Sequence, residues 1–207
     1  MSYLISRPYW YLRHGQTDWN ARNLSQGRTD VPLNRLGLAQ AEAAGHALAD
    51  AWSNLETPIA RIVSSPLGRA RMTAEITAQI LREKTGVQLP IDLDDSLKEV
   101  CFGVEEAKPM GPWYDQWIAG QFTPAGGEPF KILCNRVRDA VNRAIMNTQN
   151  GHVMIVAHGG IFRSLRFMMG LKPNVRLPNA QPIHITPPPQ EEKAWTLNML
   201  PVKEAKV

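Results

Sequence analysis

The chain has 207 residues, 43% hydrophobic and 20% charged, the balance of a folded globular protein rather than of a disordered or membrane-embedded one. Its net charge of +4 suits an anionic partner, but the lysines and arginines are scattered with no basic run interleaved with aromatics, which argues against nucleic acid without by itself choosing a small phosphorylated ligand. No stretch reaches the roughly 18 apolar residues of a membrane span, and Arg7 and Pro8 interrupt any signal-peptide core, so we expect a cytoplasmic protein, not bound to membrane, with Cys101 and Cys134 as free thiols.

Residues 8–12 are a short, β-prone apolar run that predicts a buried strand, ending in Arg13-His14-Gly15 and a polar loop to about Asn34. In LNRLGLAQAEAAGHALADAW, Leu36, Ala39, Gln40, Ala43, Ala47 and Leu48 recur at helical spacing behind Asn34 as cap. ARIVSS reads as a second buried strand, and PLGRARMTAEITAQILREKTG as a helix with Ser65 as cap, Pro66 at its first position and Gly86 at its end. From Leu89 to about Glu128 prolines and glycines punctuate the chain, which predicts a loop-rich cap with a short helix such as WYDQWI; Trp113 and Trp117 read as its core rather than as a substrate wall. PFKILCNRVRDAVNRAIMNTQNG is the third long helix, closed by Asn150-Gly151. HVMIVAHGG supplies a strand, IFRSLRFMMG a helix, and PIHITPPPQEEKAWTLNMLPV a terminal hairpin or edge strands.

Strands alternating with helices, without repeat or linker, predict one α/β domain over 1–207, its cap insertion at about 89–128, built on a mainly parallel sheet. Such sheets bind ligands beyond the carboxyl ends of their strands, which brings Arg13-His14-Gly15, Ser64 to Arg69 and His158-Gly159-Gly160 to one crevice. Guanidinium forks from Arg13 and Arg69 match the oxygens of a phosphoryl group, and Arg69 adds the free N–H groups of a helix start. A histidine among such cations stays neutral and nucleophilic near pH 7, the role expected of His14, while His158 is placed to donate to the same oxygens. Neither step needs a metal or a cofactor. A carboxyl group must protonate the leaving oxygen and later activate water; Glu99 is the candidate, and spacing alone leaves Glu105 and Glu106 open. His46, His152 and His184 read as structural, and Asn34 as a cap.

LRHGQTDWN at 12–20, QGRTDVPLNRLGLAQA at 26–41, SSPLGRARMTAE at 64–75, LKEVCFG at 97–103, PAGGE at 124–128 and VAHGGIFR at 156–163 together resemble the histidine phosphatase superfamily, also called phosphoglycerate mutase-like, in family order across nearly the whole chain. The resemblance implies a three-layer α/β/α sandwich with a mixed, mostly parallel sheet and catalysis through a phosphohistidine. It implies His14 as the phosphorylated residue, Arg13, Arg69 and His158 as the phosphate pocket, Glu99 as the proton donor, and Asn20, Gln26, Gly27 and Gly159 as substrate- or phosphate-lining positions. Cofactor-dependent mutases have LNERxYG around the acid, Gly-Trp after the first loop and HGNSxR at the second histidine, where this chain has LKEVCFG, Gly27-Arg28 and HGGIFR. It resembles the phosphatase branch more, although GVEEAK replaces that branch's usual GxWEG after the acid. The expected function is metal-independent hydrolysis of a small phosphorylated metabolite; the rivals are a phosphoglycerate mutase and a non-catalytic phospho-ligand-binding protein. A homodimer is a family-level expectation.

Overall fold

The computed structural model describes residues 3–189 and 194–205. A six-stranded mixed sheet has the order β3-β2-β4-β1-β5-β6, with β1 Tyr9–Arg13, β2 Ile59–Ser64, β3 Ile91–Leu93, β4 His152–Ala157, β5 Pro182–Thr186 and β6 Thr196–Met199. The first four run parallel; β5 pairs antiparallel with β1, and β6 antiparallel with β5. The helices are α1 Asp18–Ala21, α2 Arg35–Ala51, α3 Gly68–Thr85, α4 Trp113–Ile118, α5 Phe130–Met146 and α6 Gly159–Met168. No helix among the described residues is long and apolar enough to cross a membrane.

Side-chain alternation along the central strands divides the core in two. Tyr9 and Tyr11 of β1, with Val153, Ile155 and Ala157 of β4, face one layer, where α5 presents Leu133, Val137, Ala140, Val141 and Ala144 and α6 presents Ile161, Phe162 and Leu165. Trp10, Leu12, Met154 and Val156 face the other, against Ala44 and Leu48 of α2 and Ala74, Ala78 and Leu81 of α3. This is the expected three-layer arrangement. The small helix WYDQWI forms as read, with Trp117 fully buried in the core of the first layer and Trp113, partly buried, packed against that core on Phe102. Both cysteines are free.

Several local expectations are corrected. Ser65 does not cap α3: the N-cap position is Leu67, the helix starts at Gly68 rather than Pro66, and Gly68 N–H donates instead to Asp30 Oδ2 at 2.7 Å. Gly86 does end it, left-handed at φ 75° with its N–H on the Arg82 carbonyl. Helix α5 stops at Met146, before Asn150-Gly151, and the left-handed Asn150 instead turns the chain into β4. The buried face of α2 is Gly37, Ala41, Ala44, Gly45 and Leu48, rotated from the expected stripe, because a Cβ at Gly45 would lie 2.7 Å from Ile80 Cβ: the missing side chain lets α2 and α3 approach. Within the loop-rich cap, Ile91–Leu93 forms the edge strand β3. The terminal hairpin forms as β5 and β6, while residues 190–193 of its Pro-rich turn lie outside the described residues.

Candidate active site

Three parallel strands end side by side, and their backbones stay bonded for one residue beyond. His14 N–H donates to the Ala157 carbonyl at 3.0 Å and Ser65 N–H to the Val156 carbonyl at 2.9 Å. The Arg13-His14-Gly15, Ser64-Ser65 and His158-Gly159 segments therefore converge, as expected from the topology. They meet at a cleft of about 400 Å³ whose lining includes Arg13, His14, Asn20, Gln26, Arg69, Glu99 and Gly159. His158 lies beneath it, fully buried, its ring centroid 5.2 Å from that of His14. Gly27 does not line the cleft; its carbonyl instead accepts from Arg69 Nη2 at 2.8 Å, so its contribution runs through the arginine.

His14 is 2% exposed, and its Nδ1 lies 2.7 Å from the Gly15 carbonyl, an oxygen that can only accept. The proton therefore sits on Nδ1 and the lone pair on Nε2. Burial first, then the charges of Arg69 and Arg13, hold this imidazole well below its ordinary pKa. Gly15 N–H donates to Thr73 Oγ1 at 3.0 Å, and that hydroxyl donates to the Arg69 carbonyl at 2.7 Å, coupling the histidine loop to α3. A Cβ at either Gly15 or Gly37 would overlap the other's segment, so the loop rests directly on the start of α2.

Both arginines are locked by part of their donor set and leave another part free. Arg69, 1% exposed in the first turn of α3, gives Nη1 to Thr29 O and Nη2 to Gly27 O, both at 2.8 Å, and sits 3.6 Å from Asp30 Oδ1; its Nε has no partner. Arg13 gives Nη1 to the Leu177 carbonyl at 2.5 Å, and its Nε is also unpartnered. Burial, with the neighbouring charge of Arg163, pulls the Arg13 guanidinium down to about 10, still a cation at neutral pH. His158 has Nε2 2.8 Å from Ser65 Oγ and an unpartnered Nδ1, with burial and then Arg69 lowering its pKa well below the ordinary value. Buried polar atoms without a partner cost free energy unless a ligand meets them, and two arginine Nε–H donors and the His158 Nδ1 are left so among the residues at this cleft.

Of the three candidate carboxylates, only Glu99 lines the cleft. Its Oε1 accepts from Val100 N–H at 3.0 Å and its Oε2 from Gly160 N–H at 2.9 Å, at the start of α6. A Cβ at Gly160 would lie 2.5 Å from Oε1, so the second glycine of HGG makes room for the acid. Glu106 is spent on structure, its carboxylate accepting from the N–H groups of Arg28, Thr29 and Phe102 and from the Thr29 hydroxyl. Glu105 pairs with Lys108. His152 and His184 stack on each other at the opposite end of β4 and in β5, remote from this cleft, in keeping with their structural reading.

Other residues act at the site in ways the sequence did not assign to them. Asn179 donates to the His14 carbonyl at 2.9 Å, Ser65 holds His158, and Arg163, Arg176 and Tyr114 line the cleft. Arg136 donates from Nη1 to the carbonyls of Ser96 and Lys98, both at 2.7 Å, from Nη2 to that of Glu99 at 3.3 Å, and pairs with Glu128 through Nε at 2.6 Å. Arg163 did carry a signal, since it lies one helical turn beyond Gly159 and so projects from the same face of α6; the others depend on tertiary contacts no spacing encodes.

The family model of the histidine phosphatase superfamily (branch 1) matches residues 9–193. The chain is 34% identical over 155 residues to the uncharacterized phosphatase PhoE of Bacillus subtilis, covering 74% of this chain and 72% of that protein. It is 32% identical over 161 residues to the probable phosphoglycerate mutase GpmB of Proteus mirabilis, covering 72% and 68%. A mycobacterial glucosyl-3-phosphoglycerate phosphatase solved with VO3 superposes with a TM-score of 0.73 at 27% identity, over 95% of this chain and all of that one.

Proposed function

Since the chain belongs to the histidine phosphatase superfamily, we propose that it is a phosphomonoesterase that works through a phosphohistidine at His14 and needs no metal. The observation that carries this reading is the orientation of His14: Nδ1 is committed to the Gly15 carbonyl, which turns a neutral Nε2 lone pair towards a cleft lined by Arg13 and Arg69.

In the first half-reaction Nε2 attacks phosphorus, the bond to the leaving oxygen breaks, and Glu99 gives that oxygen its proton. In the second, water gives a proton to Glu99 and attacks phosphorus, the P–N bond breaks, and inorganic phosphate leaves with His14 restored. Free Nε–H donors on Arg13 and Arg69, and Nδ1 of His158, supply hydrogen bonds to the phosphoryl oxygens, the positioning and charge stabilisation on which such transfer rests. Guanidiniums provide the positive charge, so chelators are expected to leave the rate unchanged.

His14→Gln should abolish hydrolysis of p-nitrophenyl phosphate while circular dichroism stays native, and full activity in that variant would refute the assignment. Incubation with 3-phosphoglycerate, with and without 2,3-bisphosphoglycerate, separates the mutase reading favoured by the likeness to GpmB; rapid formation of 2-phosphoglycerate would replace hydrolysis by mutase chemistry. We place the protein in the cytoplasm and regard the chain as one catalytic domain.

A further inference from the structure

The proposed nucleophile is held by backbone, and that backbone needs holding in turn. His14 Nδ1 bonds the carbonyl of the Gly15–Gln16 peptide at 2.7 Å, and the hydrogen bond made by one ring nitrogen decides which tautomer a neutral imidazole takes. The lone pair on Nε2 therefore depends on which way this one peptide faces. Rotating the unit by half a turn would present its N–H to Nδ1, select the opposite tautomer and put a proton where the attack must start. Such a rotation changes ψ of Gly15 and φ of Gln16, and a glycine resists it little. No side chain at position 15 can supply the resistance, because a Cβ there would lie 2.3 Å from the Gly37 carbonyl oxygen.

The restraint comes from α2. Gly37 lets the loop settle on the helix, and one turn further along the same face Gln40 accepts the Gln16 N–H on its Oε1 at 2.9 Å. A trans peptide is planar, with N–H and C=O pointing opposite ways, so gripping the N–H aims the Gly15 carbonyl at the ring. The preceding peptide is gripped at both ends: its His14 carbonyl accepts from Asn179 Nδ2 at 2.9 Å, and its Gly15 N–H donates to Thr73 Oγ1 at 3.0 Å. Gln40 and Asn179 do not line the cleft but a separate cavity of about 270 Å³, so both act on His14 from outside the space a substrate would fill.

We infer that Gln40 is a positioning residue for phosphoryl transfer: by holding the Gly15–Gln16 peptide it keeps the proton of His14 on Nδ1 and the lone pair of Nε2 free. This rests on the proposed role of His14 as nucleophile, but the tautomer can be observed without any turnover.

Proton–nitrogen NMR correlation spectra of protein carrying isotope-labelled histidine report which nitrogen of each imidazole is protonated, and the His14→Gln protein identifies the His14 signals by their loss. Near neutral pH the wild type should show His14 protonated at Nδ1. Gln40→Met, close in size but without the oxygen, should move His14 to the Nε2–H form or to a mixture of both. It should also lower kcat for p-nitrophenyl phosphate about 10-fold or more, the worth of one hydrogen bond, while KM moves less than about 3-fold. Gln40→Glu retains an acceptor and should retain Nδ1–H. A wild-type His14 protonated at Nε2, an unchanged tautomer in Gln40→Met, or the same shift in Gln40→Glu would overturn the inference; so would a loss of kcat with Nδ1–H retained, the mark of a merely structural residue. Should Gln40→Met lack a native circular dichroism spectrum, hydrogen exchange in the wild type takes its place: the Gln16 amide should exchange about 10-fold or more slowly than in an unstructured peptide, and unprotected exchange would overturn the inference. A tautomer shift with kcat unchanged would keep Gln40 as the lock on the ring and reject His14 as the nucleophile.

Discussion

A histidine proposed as a nucleophile is useless when protonated, and His14 is held towards the neutral form by three influences of the same sign: burial, Arg69 and Arg13. The acid limb of its activity should therefore fall well below the ordinary imidazole value of 6.5. A pH profile of kcat/KM for p-nitrophenyl phosphate is expected to show no fall on the acid side between pH 7 and 6, and an acid-side fall centred at 6.5 or above would show that burial and these cations do not act on the nucleophile. At this scale much was legible beforehand. Arg13, His14, Arg69 and His158 could be named because each ends or follows a strand or opens a helix, and local sequence marks such positions. Asn179 and Tyr114 could not, since one reaches His14 across 165 positions of sequence and the other belongs to a small helix whose packing, not its spacing, brings it to the cleft.

The loop bearing Glu99 is itself without regular structure, yet the acid is held from both directions. Ahead of it stands the start of α6, whose Gly160 N–H bonds Oε2; behind it Arg136 of α5 gathers the carbonyls of residues 96, 98 and 99 while paired with Glu128. Arg136 is thus a positioning residue whose planar fork no ammonium can reproduce. Arg136→Lys should lower kcat for p-nitrophenyl phosphate about 10-fold or more, while KM moves less than about 3-fold, the mark of a displaced acid with the phosphate pocket intact. A parallel change in both constants, or in neither, would argue against this role. Element boundaries were the less readable part of the sequence, for physical reasons. In α2 alanines crowd every face, so the buried stripe is decided by where Gly37 and Gly45 permit close approach. In β3 three residues suffice for a strand because β2 offers a ready edge, a fact no short window of sequence contains.

Across the molecule, four histidines have depressed pKa values, each chiefly through burial: His14 and His158 at the cleft, His152 and His184 in their stacked pair. In the unfolded chain each takes up a proton near pH 6.5, whereas in the folded protein it resists. Their contribution is thus fully present above about 6.5 and is lost as pH falls through the folded values. Asp94, lowered from 3.8 with Arg143 as its partner, enters only in more acidic solution and does not offset this. Thermal unfolding measured from pH 7.5 to pH 5 should show Tm falling steadily below 6.5; a constant Tm over that range would contradict the burial of these rings.

The pairing of β1 sets a timetable. Both of its neighbours, β4 and β5, lie beyond residue 150, and the carbonyl that steadies Arg13 and the amide that steadies His14 come from Leu177 and Asn179. As the ribosome delivers the chain, its first strand has nothing to lie against until most of the sequence has emerged, and closure over so long a separation is slow. The cleft around His14 is thereby completed only late in synthesis, and a partly made chain carries that proposed nucleophile unassembled.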